Sequence, residues 1–260
     1  MLELYHWEPN GFFLKPLIAL AEKGEPYTAH YFDPTSFEQF RSGFPISSEA
    51  GLHLEREGPV LVDGGTVIAS SFFLLTYVAE AVAGPALLPQ AAYDRYRVMA
   101  WGQKIALAVA GPVSTLGCAR YLSPVLRARP SSALRAQLGA IEPLERRAAW
   151  AAVLEDDQDG AVAAARRRLA TPLRQIETAL TGARWLAGAE YSIADIDAFA
   201  MLAPLPALIP ELVGQNSTPH IMEFLGRMRA RPAVRAALAL ARTDHPEQAF
   251  VPGPESSRWG

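Results

Sequence analysis

The chain has 260 residues, 50% hydrophobic and 20% charged, with a formal net charge of −3 and a pI near 6.0. That is enough chain for one large domain or two small ones, and its hydrophobic content excludes a disordered polymer. The charge gives no general attraction to nucleic acid or an anionic membrane, and the single cysteine, Cys118, excludes an intrachain disulfide and a cysteine-rich metal site. The first residues include Glu3 and no basic stretch, so no signal peptide is expected. The longest charge-free runs, residues 64–79 and 105–119, fall short of the roughly 20 apolar residues that span a bilayer. A cytoplasmic protein without a metal site is expected.

Residues 2–7 have strand composition. Residues 14–23 have helical spacing, with Leu14, Leu17, Ile18 and Ala21 on one face and Gly24 as the stop. A second β-rich run, 27–32, closes at Asp33-Pro34. Residues 59–62 and 66–68 flank Asp63-Gly64-Gly65, a hairpin signal, and Ser70 or Ser71 can then cap a helix running to about Val82. A βαβ unit followed by a hairpin and helix is the thioredoxin-like layout. Gly84-Pro85 and Pro89 mark a linker, 84–89, after a first domain of residues 1–83. Residues 90–242 are rich in Ala, Leu and Arg and predict an all-helical domain, with breaks at Gly111-Pro112, Pro124, Pro130, Pro143, Pro172 and Gly188. Residues 243–260 read as a loose tail. The acidic run 155–159 and the basic run 166–168 read as a solvated face.

Four features bear on binding of a small thiol peptide. Pro59 opens an apolar strand, where a thioredoxin-like fold sets a cis peptide bond whose neighbours face the ligand; a trans proline is the plain alternative. Ser70 and Ser71 begin a helix, whose free N–H groups and partial positive charge suit a carboxylate, although a serine there can equally be only a cap. The turn at residues 8–13 is the place for a donor to a thiolate; it offers Asn10 and the backbone N–H groups of Gly11 and Phe12, but no Ser, Thr, Tyr or Cys. Residues 42–58 form a long irregular polar stretch in which His53 reads as a surface residue. In the helical half, Ser192 to Asp195 reads as a capping box opening a buried helix. Tyr96, Trp101, Tyr121 and Trp150 could line an aromatic pocket or simply fill a helical core.

The segments GPVLVDGGTVIASSFFLLTYV, 58–78, and YSIADIDAFA, 191–200, resemble the glutathione S-transferase superfamily over nearly the whole chain. Within it, LKPLIALAEKG (14–24), FDPTSFEQF (32–40), VSTLG (113–117) and RARPAVRAAL (229–238) are similar to the bacterial β-etherases. The resemblance implies a thioredoxin-like N-terminal domain and an all-helical C-terminal domain, with glutathione as co-substrate held by Pro59, Ser70 and Ser71. It implies attack of the glutathione thiolate on an aromatic β-aryl ether of lignin type, in a homo- or heterodimer.

Three departures stand against it. The turn that carries a serine beside an asparagine in that branch holds Phe12 and Phe13 here, Phe13 at the serine place. The stretch before Pro59 is the longer GLHLEREGP, and the acidic residue before the capping serine is Ser70. The expectation is therefore a β-etherase subunit with a partly degraded glutathione site, completed by a heterodimer partner. Two alternatives stand beside it: a self-sufficient transferase using Asn10 and backbone N–H groups, and a non-catalytic binding or assembly protein on the same scaffold.

Overall fold

A computed structural model describes residues 1–47, 58–142, 144–155 and 157–253. β1 (Leu2–His6), α1 (Gly11–Lys23) and β2 (Thr28–Tyr31) form a βαβ unit, followed by two 3-10 turns, Pro34–Ser36 and Glu38–Phe40. β3 (Val60–Asp63), β4 (Thr66–Ile68) and α2 (Ser71–Ala81) complete the first half. The sheet order is β2-β1-β3-β4; β1 and β2 are parallel and the other two pairs antiparallel. The layout matches the periodicity. Leu4 and Leu61 pair in register and are fully buried, and Leu14, Leu17 and Ile18 of α1 cover the core. Gly24 adopts φ 70°, where its N–H closes α1 on Leu20 O at 3.0 Å, a geometry that favours glycine.

The second half is helical. α3 (Ala92–Lys104), α4 (Gly111–Gly117) and α5 (Ser123–Arg127) are parts of one continuous 36-residue helix. α6 (Ser131–Gly139), α7 (Leu144–Ala152), α8 (Asp159–Gly182), α9 (Ile193–Leu202), α10 (Leu205–Leu208), α11 (Pro219–Ala230) and α12 (Pro232–Leu238) follow. α1 is the shared element: it packs against α2 on its own side and against α9 and α12 across the seam.

Three expected breaks are absent. The long helix passes through Pro112 and Pro124, each preceded by a π-helical stretch, 105–110 and 118–122. The wider π turn accommodates a proline that can neither donate its N–H nor fit against the carbonyl four residues back. α8 likewise continues through Pro172; the buried residues Leu169, Leu173 and Ile176 on the same helix hold it, offsetting a cost of roughly 3 kcal/mol. Pro130 and Gly188 do interrupt helices, and Pro143 lies outside the described residues. The long helix is apolar enough to cross a membrane by composition, but Val98, Ile105, Val109 and Val113 are buried against the rest of the fold.

The loose tail is also corrected. Residues 243–248 are largely exposed, but 249–253 are packed: Phe250 and Val251 are buried, and Arg146 donates to the carbonyls of Gly253 (2.9 Å) and Pro252 (3.1 Å), while residues 254–260 lie outside the described residues. Prolines and glycines here shape an extended segment that fits a groove, and its side-chain partners lie too far away in sequence to be read locally.

The capping box at α9 is present. Asp195 is fully buried and accepts from the backbone N–H groups of Ser192 and Leu186, each at 2.9 Å. Burial raises its pKa to about 6 against the opposing pull of these bonds. Between about pH 4 and 6 the folded protein therefore keeps a proton that the unfolded chain has lost, and this group's stabilising contribution declines as the pH rises through that window. Asp195→Ala is expected to lower unfolding stability by about 1–3 kcal/mol, through two orphaned buried N–H groups. Urea titrations are expected to show a larger deficit at pH 4 than at pH 7.

Candidate functional site

The turn between β1 and α1 faces the helical half, and its polar groups are largely consumed inside the molecule. Glu8 is buried and accepts from the Tyr31 hydroxyl (2.5 Å) and the Arg242 backbone N–H (3.1 and 3.2 Å). Burial first, then Glu8, pushes the Tyr31 phenol well above its ordinary range, so it serves as a donor and not as an acid. His6 is held neutral by burial, with Nδ1 2.8 Å from the Trp7 carbonyl.

Asn10, the side-chain candidate for the thiolate, is buried at this turn. Its amide donates to the carbonyls of Glu247 (3.2 Å) and Ala249 (3.0 Å). Both amide protons thus go to the C-terminal segment. Among the described residues, the N–H groups of Gly11 and Phe12 at the start of α1 have no backbone partner, since first-turn donors lack intrahelical acceptors. The Phe13 ring packs edge-on against Trp7 and Phe32 in the core. Gly58 lies against the same rings at φ 48°, where a Cβ would lie 2.8 Å from Phe32 and 3.1 Å from Phe13, so only glycine fits. The Gly58–Pro59 bond is cis. His53 and most of the polar stretch before Pro59 lie outside the described residues.

Ser71 opens α2, but neither serine caps it through its side chain: Ser70 is the N-cap without a side-chain cap bond, at φ 67° and ψ 120°. That left-handed backbone is costly for a non-glycine residue and places Ser70 at a strained corner. The Ser71 hydroxyl instead accepts from Lys15 Nζ at 3.1 Å.

Lys15 was invisible to pattern reading. It is buried on α1, forms a 2.6 Å ion pair with the buried Asp197 of α9, and lies 5.0 Å from the centre of the Phe12 ring. Burial raises the Asp197 pKa while the Lys15 ammonium opposes the rise; apart from that ammonium neither carboxylate oxygen has a partner among the described residues. Each helix buries a second charge as well, Lys23 on α1 and Asp195 on α9, so charge within the helices does not single this pair out.

A cavity of about 10 Å³ is what remains between Gly11, Phe12, Met201, Phe250 and Val251, room for about one water. Larger hollows of about 390 Å³ and 410 Å³ open beside it, one along Ser114, Thr115 and Gly253, the other along Trp7, Tyr31 and Tyr121. The four aromatic residues do not gather into one pocket. Trp150 packs on Phe37, Tyr121 stacks with Phe250, Tyr96 with Tyr93, and Trp101 lies under Lys104.

A four-stranded mixed sheet with its β1–α1 turn and α2 N-terminus set against an all-helical half is the glutathione S-transferase fold. Residues 141–232 match the family model described as glutathione S-transferase, C-terminal domain. The chain is 25% identical over 240 residues to Protein LigF of Sphingobium sp. (strain NBRC 103272 / SYK-6), covering 90% of this chain and 91% of that protein. It is 25% identical over 246 residues to glutathione S-transferase TCHQD of Arabidopsis thaliana, covering 91% and 89%. The crystal structure of β-etherase LigF superimposes with a TM-score of 0.84 at 24% identity, covering 92% of this chain and 98% of that one. A Pseudomonas fluorescens glutathione transferase family member with two glutathione bound superimposes with a TM-score of 0.65 at 23% identity, covering 91% and 92%.

Removing one member of the Lys15–Asp197 pair leaves a buried charge without its counter-ion. Asp197→Leu is expected to cost about 3–5 kcal/mol of stability by urea unfolding, and Lys15→Met combined with Asp197→Leu is expected to recover most of that loss. A double variant as unstable as the single one would show that packing, not charge pairing, holds this seam.

Proposed function

We propose that this chain is a glutathione transferase-type subunit of a cytoplasmic β-etherase acting on lignin-derived aromatic ketones. Its relation to LigF across both halves supports the class of reaction, and the glutathione-bound structural neighbour supports the co-substrate. In the proposed step the glutathione sulfur attacks the carbon that bears the aryloxy group. A C–S bond forms, the C–O bond breaks, the phenoxide leaves with the electron pair and takes a proton from solvent. Glutathione lies with its cysteinyl backbone along Pro59 and its γ-glutamyl carboxylate at Ser70, Ser71 and the start of α2, where the helix dipole adds to the hydroxyls.

The observation that carries the heterodimer part is the β1–α1 turn. It has no hydroxyl, Phe13 is committed to the core, and the Asn10 amide is already bonded twice. A thiolate here lacks the side-chain donor that would lower its pKa from about 8.5. A partner with a complete site supplies it. The stacked Tyr93 and Tyr96, 72% and 64% exposed, give α3 an aromatic face suited to such pairing. The free N–H groups at the start of α1 favour the second reading, a self-sufficient transferase.

The purified chain alone is expected to turn over a β-aryl ether ketone at least tenfold to a hundredfold more slowly than together with a serine-bearing paralogue, the loss of about 1.5–3 kcal/mol for a missing hydrogen bond to a charged group. Turnover by the chain alone at an ordinary enzymatic rate would remove the heterodimer reading; Asn10→Ala would then show whether the side chain or the backbone holds the thiolate. In a calorimetric glutathione titration, Ser71→Ala is expected to weaken binding by about 1 kcal/mol or more. Unchanged affinity would leave Ser71 only its bond to Lys15, and absence of glutathione binding in every combination would favour a non-catalytic assembly role.

A further inference from the structure

The C-terminal segment occupies ground that a second substrate would need. The Phe250 ring is buried and stacks on Tyr121, ring centres 6.0 Å apart and planes 14° from parallel. Its edge fills a hollow that exists because position 117 is glycine: a Cβ on Gly117 would overlap the ring. Val251 follows it into the small cavity beside Gly11 and Phe12. An aromatic ring, seated on another aromatic ring above a glycine and beside the candidate thiolate turn, occupies a seat of the shape an aryl group requires.

We infer that Phe250 is a resident occupant of the aryl site, and that an aryl substrate enters by displacing residues 243–253. This rests on the proposed transferase function, to which it adds the substrate seat and its control. The cavity of about 10 Å³ beside the turn cannot take a phenyl ring while Phe250 is in place. With the ring removed it opens toward the hollow of about 410 Å³ along Trp7, Tyr31 and Tyr121, which Phe250 also lines. The segment is built to leave. It belongs to no sheet, and it is held through its carbonyls and the Arg242 N–H by Asn10, Arg146 and Glu8. Water can replace each of those partners on release, so departure strands no buried backbone group. Release also frees the Asn10 amide beside the sulfur position. Strap departure, aryl binding and recovery of a thiolate donor are then a single event, driven by whatever ligand affinity exceeds that of Phe250 for its own seat.

The test uses 2-phenoxyacetophenone, a two-ring β-aryl ether ketone, with the full-length chain and without glutathione. Hydrogen exchange of residues 243–253 is expected to speed up on adding it to the wild type, and Phe250→Ala is expected to bind it at least about tenfold more tightly. Binding that leaves exchange in this segment unchanged or slowed, or a Phe250→Ala protein that binds no better, overturns the inference; circular dichroism melting confirms that the variant is folded. A parallel titration with glutathione separates the two claims. Failure to bind glutathione removes the transferase reading and leaves the aryl seat to be decided by the ketone alone.

Discussion

Everything around the site depends on one buried ammonium. Lys15 and Asp197 each give up hydration worth several kcal/mol, and they recover most of it from each other. α1 can therefore dock on α9 in one register, the one that brings these two groups to 2.6 Å. The same ammonium donates to Ser71 and lies over Phe12, so the first turns of α1 and α2 are positioned by the contact that joins the two halves. The candidate site groups of the sheet half are fixed from the helical side.

A second constraint comes from small residues on the long helix. Gly117 leaves room for the Phe250 ring, and Ser114 with Gly111 leaves room for the backbone at Gly253. The π-helical stretches on either side keep that helix continuous through two prolines, so these positions stay on one wall. The groove is a product of absent side chains and an unbroken helix, and the C-terminal segment is the part of the chain that fills it.

The turn at residues 8–13 illustrates how buried polar groups are accommodated in a sound fold. A carboxylate and an amide buried without partners would each cost free energy. Glu8 and Asn10 find theirs in Tyr31 and in the returning C-terminal chain. The fold shared with LigF is kept while the polar groups of this turn bond internally, which links the turn to the position of the tail.

Local pattern was enough for the elements that local physics controls. The strand composition of β1, the Asp63-Gly64-Gly65 hairpin, the Gly24 stop and the Ser192–Asp195 capping box are each specified by residues a few positions apart, and all appear in the structure. Pro59 and Ser71 were legible as candidates for the same reason, one before an apolar strand and the other opening a helix. Contacts across the fold were not legible. The pairing of Lys15 with Asp197 spans 182 positions and that of Asn10 with Ala249 spans 239. Sequence also predicted breaks at Pro112, Pro124 and Pro172, because a proline's local cost is visible and the packing that offsets it is not. By itself the sequence determined the order of the elements in the sheet half, the Gly24 stop, the Ser192–Asp195 box and the missing hydroxyl at the turn. Tertiary structure alone decided which buried charges meet, how the tail lies and what fills the cleft, because those outcomes follow from burial of groups distant in the chain.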